Sequence, residues 1–272
     1  MTPLFICRAG KRSQNAVEVL SIGNELLIGH TVDTNSNWLA KQVNALGWTV
    51  QRITVVRDSL KAIREGVAEA LERKPEILFT VGGLGPTHDD MTLRGLSIAI
   101  GKPLMLNSDA LDAIKKKYNR IERRTSLTRH RKKMAMLPRG AEALPNPVGT
   151  APGIVVATRN TTIVSLPGVP SEMKAIFNAS VIPIMRMSGV SPPREAFVML
   201  LGIVESALAP VLERAQRRFS NLYFKSHPRG RESGLRSLIR VHVYTVGKGN
   251  DGAVRDGVAF LVRRLAVIRS RI

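Results

Sequence analysis

Glu76–Val81 reads EILFTV and runs directly into Gly82-Gly83-Leu84-Gly85-Pro86-Thr87-His88-Asp89-Asp90-Met91-Thr92. Pro75 interrupts whatever helix precedes it, so the apolar run reads as a buried strand. The glycines then form a loop that hands over to a helix from about Met91 to Ile100. Two earlier segments repeat the alternation. Ala16–Ile22 (AVEVLSI) reads as a strand ahead of a helix over Thr34–Leu46, with Trp38, Leu39, Val43 and Leu46 at helical spacing and Gly47 as its stop. Thr49–Val56 reads as a strand ahead of a helix capped by Ser59 and carrying Ile63, Val67, Ala70 and Leu71. Apolar strands alternating with helices predict an α/β fold whose parallel sheet is covered on both faces.

Beyond Gly101 the pattern loosens. Ser108–Tyr118 reads as a helix entering a basic stretch, Lys115–Lys133. Gly153–Thr158 and Thr161–Leu166 read as an antiparallel pair turning at Arg159-Asn160, with helices starting near Ser171 and near Val181. Ser191-Pro192-Pro193 reads as a linker. A fresh β-α-β-β-α order follows in Ala196–Leu201, Glu205–Phe219, Asn221–Ser226, Leu235–Thr245 and Asp251–Ile268. The expected organisation is an N-terminal extension over 1–15, an α/β domain over 16–190 and a small α+β domain over 194–272.

Composition narrows the classes. With 44% hydrophobic and 23% charged residues the chain is globular rather than disordered. No apolar run approaches the roughly 20 residues of a membrane span. Pro3–Cys7 is shorter than the apolar region of a signal peptide. The single cysteine, Cys7, permits no internal disulfide and reads as a passenger, which fits a reducing, cytoplasmic setting. The net charge of +20 is uneven. Residues 113–133 hold ten basic residues against Glu122, and residues 194–272 hold fifteen against six acids. Residues 16–112 are slightly acidic, with nine bases against twelve acids, which excludes a uniformly basic nucleic-acid coat.

In an open parallel sheet the loop after the third strand sits at the carboxyl edge, where ligands bind. Gly82, Gly83 and Gly85 let backbone N–H groups approach a phosphate, and the following helix start adds a favourable dipole. Asp89 and Asp90 would repel that anion unless a divalent cation lay between, so the loop points to a metal-bridged phosphate. A tight turn with Asp capping the helix is the structural alternative. The loop after the first strand adds Glu25 and Asp33, which would share the same edge, although Asp33 or Thr34 would also serve as an N-cap. Two Pro- and Gly-rich segments, Pro145–Gly153 and Leu166–Lys174, are further candidate loops or merely shaped turns.

SIGNELLIGHTVDTNSNWLA, VGGLGPTHDDMT, PNPVGTAPG and LPGVPSEMKAIF, in this order and spacing, resemble the competence/damage-inducible protein A (CinA) family over roughly Val17–Met187. That module is similar to the molybdopterin-binding domain of molybdenum-cofactor biosynthesis. GIVESALAPVLE and LYFKSHPRG resemble the small α+β domain that follows it in the family. The resemblance implies a three-layer α/β/α domain, a homo-oligomer (dimer or trimer), and metal-dependent cleavage of a diphosphate in nucleotides such as ADP-ribose, or of FAD- and NAD-type dinucleotides. It implies a divalent metal of the Mg or Co type held by Asp33 and Asp90, with K+ as a further candidate ion, and catalytic roles for Asp90, Asp33, Asp89 and Glu25. Gly82, Gly83, Gly85, Thr87, Thr92, Asn35, Gly149, Thr150, Ser171 and Glu172 fall in its substrate- and phosphate-binding motifs. No segment matches the deamidase domain of many bacterial members, so deamidation is not expected. The basic stretch is richer in Arg than the family pattern.

His30, His88, His130, His227 and His242 lack paired metal spacing, which argues against zinc; His88 alone lies in a candidate loop. Lys115–Lys133 reads as a solvated face or as a lid over an anionic nucleotide, in preference to a nucleic-acid contact, because Tyr118 is its only aromatic. The second domain's order is KH-like, but its one G-x-x-G, Gly249–Gly252, lies between a strand and the last helix rather than between two helices. Oligomerisation or cleft closure is therefore preferred there. The leading expectation is a metal-dependent nucleotide diphosphatase. The alternatives are a molybdopterin-binding protein without hydrolysis and a nucleic-acid binder using the basic segments.

Overall fold

The computed structural model describes residues 15–121, 128–187, 189–190, 193–229, 238–245 and 251–269. The expected extension up to residue 14, with Cys7, lies outside them, as do residues 122–127 of the basic stretch, Ser191-Pro192 of the linker and Gly249 of the G-x-x-G. The chain divides into two compact units, Met1–Val190 and Ser191–Ile272.

In the first unit, β1 (Ala16–Ile22), α1 (Asn24–Leu27), α2 (Thr34–Ala45), β2 (Thr49–Val56), α3 (Leu60–Arg73), β3 (Ile77–Val81) and α4 (Thr92–Ala99) follow the expected alternation. Next come β4 (Leu104–Leu106), α5 (Ser108–Ile121), α6 (Arg129–Lys133), β5 (Met136–Pro138) and β6 (Glu142–Leu144). The unit closes with β7 (Gly153–Ala157), β8 (Thr162–Leu166), α7 (Pro170–Ile176), a π-helical turn (Phe177–Val181) and α8 (Ile182–Arg186). The main sheet has the order β2-β1-β3-β8-β7-β6. Its first four strands are parallel, and β7 and β6 are antiparallel to their neighbours.

Every residue of β1, β3 and β8 is buried, as strands covered on both faces require. Alternate residues go to opposite layers. Val17, Val19 and Phe79 join Leu39 and Val43 of α2 and Met173 and Ile176 of α7. Leu20, Ile22 and Leu78 join Ile63 and Val67 of α3 with Leu96 of α4 and Ile114 of α5. The result is the three-layer α/β/α arrangement expected from the resemblance. Local chemistry sets the helix ends. The Asp33 carboxylate accepts from Ser36 N at 2.9 Å and Ser59 Oγ accepts from Ala62 N at 3.2 Å, so Asp33 rather than Thr34 caps α2. Glu18, buried inside β1, is held by a forked pair from Arg73 at the end of α3, at 2.8 Å from Nε and 2.7 Å from Nη2.

The second unit contains β9 (Glu195–Leu201), α9 (Glu205–Arg218), β10 (Leu222–Arg229), β11 (Leu238–Thr245) and α10 (Asp251–Arg269). Its three strands form an antiparallel sheet in the order β10-β11-β9. Leu200, Phe224 and Val241 pack from the sheet against Leu208 and Val211 of α9 and Leu261 of α10. Among the described residues no helix is long and apolar enough to cross a membrane.

Candidate functional site

β1, β2, β3 and β8 all deliver their loops to one edge of the main sheet. At the end of β3 the chain turns through Gly82 and Gly83, with φ of 107° and 62°. Gly82 N–H donates to Leu166 O of β8 at 3.0 Å, and Thr92 Oγ1 reaches back to Gly82 O at 2.7 Å, tying the loop to both its strand neighbour and the start of α4. Among the described residues nothing in the protein accepts from the N–H groups of Gly83, Leu84 and Gly85. A Cβ on Gly83 would lie 2.4 Å from Thr92 Oγ1, and one on Gly85 2.6 Å from Asp90 Oδ2. The loop therefore presents bare backbone.

Asp90 does not cap α4, whose N-cap is Met91 without a side-chain bond. Its carboxylate instead closes the Thr87–Asp90 turn, accepting from Thr87 N at 2.8 Å and Thr87 Oγ1 at 2.6 Å. The Thr87 hydroxyl also contacts Asp89, which holds that carboxyl below its ordinary value. His88 points to solvent, with 96% of its side chain exposed.

Beside this loop lies a cavity of about 310 Å³ with an apolar floor of Leu84, Leu93, Leu104 and Met136. Its charged lining is Arg94, Arg129, Lys132 and Lys133 against Asp90. Lys133 Nζ donates to Thr87 O, pinning α6 to the glycine loop. Burial lowers the Lys133 pKa, an effect that Asp90 and Asp89 oppose. α6 belongs to the basic stretch expected to be a solvated face or a lid, and sequence order alone does not say which loop it meets. The loop's phosphate-repelling acids are thus offset by cations from a distant segment.

A second cavity, of about 130 Å³, is lined by Glu25, Asp33 and Asn35 together with Ser21, Thr31 and Gly168. Here Asp33 also accepts from Ser21 Oγ at 2.7 Å. Asn35 Nδ2 donates to Gly168 O at 2.7 Å, while its buried Oδ1 has no partner. Asp33 and Asp90 therefore line different cavities. Among the described residues no group of three or more His, Cys, Asp or Glu could hold a metal ion. Of the two acids expected to hold a metal, Asp33 accepts from Ser36 N at the start of α2 and Asp90 accepts from Thr87 in its own turn.

Two groups escaped sequence reasoning. Asp58, after β2, accepts from Asn24 N at 2.7 Å. Burial raises its pKa, against the lowering effect of the Asn24 bond and with further upward contributions from Glu25, Asp89 and Asp90. Asn146 is buried, donates to Ala151 O at 2.8 Å and Glu172 Oε2 at 2.6 Å, and accepts from Gly149 N at 2.8 Å. It thereby clasps the PNPVGTAPG segment to the start of α7. A Cβ on Gly149 would fall 2.0 Å from the Glu172 carboxyl carbon, so Gly149 and Glu172 fit one another. Thr150 and Ser171 lie in the two segments so joined and line neither cavity described above.

Residues 18–187 match the family described as "Probable molybdopterin binding domain". The chain belongs to the molybdopterin-binding domain family. Outside the molybdopterin-binding domain the likeness to relatives continues. A protein of Aeropyrum pernix is 45% identical over 228 residues, 83% of each chain, and one of Pyrobaculum arsenaticum is 41% identical over 257 residues, 93% of this chain and 94% of the other. The crystal structure of the CinA protein from Thermoplasma acidophilum is 40% identical, with a TM-score of 0.59 over 62% of this chain and 98% of that one. The molybdopterin-binding domain here is thus CinA-like in sequence and in fold.

Proposed function

We propose that the first unit binds molybdopterin, or a nucleotide-linked form of it, in the cavity beside the glycine loop. The supporting observation is the union of three unclaimed backbone N–H groups, at Gly83, Leu84 and Gly85, with four cations around an apolar floor. The N–H groups and Lys133 would hold a phosphate, Arg94, Arg129 and Lys132 would balance its charge, and Leu84, Leu93 and Met136 would face the heterocycle. Bound, the pterin would bring a dithiolene able to coordinate molybdenum; the chain's own residues bind and orient it. A metal-assisted diphosphatase is the second reading, supported by Asp58, whose carboxyl is pushed up by burial and further by Glu25, Asp89 and Asp90.

Anaerobic titration with molybdopterin, followed by calorimetry, separates the two. The first reading expects saturable binding, no AMP release from ADP-ribose with Mg²⁺ or Co²⁺, and about tenfold or greater weakening in Lys133→Ala, the loss of a charged contact of about 1.4 kcal/mol or more. AMP release abolished by Asp90→Asn would establish the second. Absence of both binding and turnover would remove both.

A further inference from the structure

Among the described residues the sheet of the second unit has both its helices, α9 and α10, packed on one side. β11 sends Ile239, Val241 and Val243 toward α9 and α10, and Arg240, His242 and Tyr244 the other way. On that other side Phe197 stands opposite His242, Met199 opposite Arg240, and Tyr223 opposite Tyr244. The rings touch in a run that crosses all three strands. Tyr223 and Tyr244 have centroids 5.3 Å apart, Tyr244 and His242 4.7 Å, and His242 and Phe197 4.3 Å in a stacked pair. The Arg240 guanidinium lies 4.9 Å from the Phe197 centroid. Phe197 remains 49% exposed, Tyr223 41%, Met199 54% and Leu201 56%.

An aromatic layer left open in this way marks a binding surface. Its charge selects the partner. Among the described residues Lys225, Arg229 and Arg240 share this side with one acid, Glu195, and Glu195 is already paired to His242 Nε2 at 2.8 Å. A second copy of the same face would press like charges together while removing them from water. A partner that carries both anions and flat π faces satisfies rings and cations at once.

We propose that this face binds a single-stranded polynucleotide, its bases stacking on Phe197, Tyr223 and Tyr244 and its phosphates meeting Lys225, Arg229 and Arg240. A duplex hides its base faces and cannot use the rings. This is a different surface from the first unit's cavity, and it stands or falls without the pterin reading.

Fluorescence anisotropy of the full chain with labelled RNA and DNA strands of roughly a dozen nucleotides tests it. Single strands of either kind should bind more tightly than the matching duplex, with log K falling against log salt at a slope of about −2, as three phosphate contacts require. Lys225→Gln should reduce that slope by about 0.7. Phe197→Leu with Tyr223→Leu should weaken binding about tenfold or more, whereas Phe197→Tyr with Tyr223→Phe, which keeps both rings, should retain it. Photo-cross-linking of the unsubstituted chain locates the contact without relying on any variant. Cross-links to Phe197, Tyr223 or Tyr244 support the proposal, and cross-links confined to residues 16–190 overturn it. It is equally overturned by failure to bind single strands at about 50 mM salt, by duplex bound as tightly, or by self-association that the Leu pair abolishes.

Discussion

Gly82 and Gly83 sit where the backbone must turn with positive φ while passing close to its neighbours. A Cβ on Gly82 would come within 2.3 Å of Ile22 O, a backbone atom of β1 that cannot swing away. Gly82→Ala should therefore lower stability by about 2 kcal/mol or more, and Gly83→Ala by somewhat less because the Thr92 hydroxyl can rotate; thermal unfolding measures both. Glu18 shows a different kind of demand. Arg73→Ala leaves its buried carboxylate unpaired and should cost about 3 kcal/mol in urea denaturation, whereas Glu18→Leu with Arg73→Met should fall within about 1 kcal/mol of the parent. Asp58 has a pKa raised by burial, so its ionised form is disfavoured in the fold. The stability tied to its proton is complete below the unfolded value of 3.8 and is lost as pH rises through the higher folded value. Asp58→Asn should raise Tm at pH 7, and the gain should vanish as pH falls toward 3.8. At this scale the Asp33 and Ser59 caps were legible in the sequence, because each acts three residues along the chain, and the glycines were legible by residue type alone. Asp58 was not, because its partner Asn24 lies 34 residues away, and neither was the reach of Asn146 to Glu172, 26 residues on.

The same contrast holds for whole elements. β1 and β3 declare themselves through apolar runs, and α2 and α3 through helical spacing, since each buries a continuous face. β4, β5 and β6 have three residues each, too few to carry a period, and only their pairing defines them. The π-helical turn after α7 has no signal of its own in the sequence. α6 is the consequential case. Its five residues, RHRKK, read locally as a solvated face or a lid; in the fold Lys133 bonds to the glycine loop and Arg129 and Lys132 line the cavity. Arg129→Gln with Lys132→Gln should leave the unfolding midpoint within a few degrees, because exposed charges contribute little to stability. They should weaken pterin binding at least tenfold and flatten its dependence on ionic strength, which titrations at two salt concentrations would show.

Across the molecule, the +20 charge resolves into two surfaces rather than one. The first unit brings part of its basic stretch to an otherwise acidic sheet edge, so phosphate can be met by cations directly. The second unit places Lys225, Arg229 and Arg240 on an aromatic sheet face. Sequence order alone places the acids at the sheet edge and the basic stretch on a solvated face or lid; the fold brings α6 to the end of β3, beside Asp90. Likeness to a relative at 41% identity over 93% of the chain extends through both units. A crystal structure of the full chain with molybdopterin would decide the matter. Phosphate oxygens should lie about 3 Å from the N–H groups of Gly83 to Gly85 and from Lys133 Nζ, with the ring over Leu93 and Met136. Ligand density in the Asp33–Asn35 cavity, or none beside the glycine loop at saturating ligand, would contradict this placement.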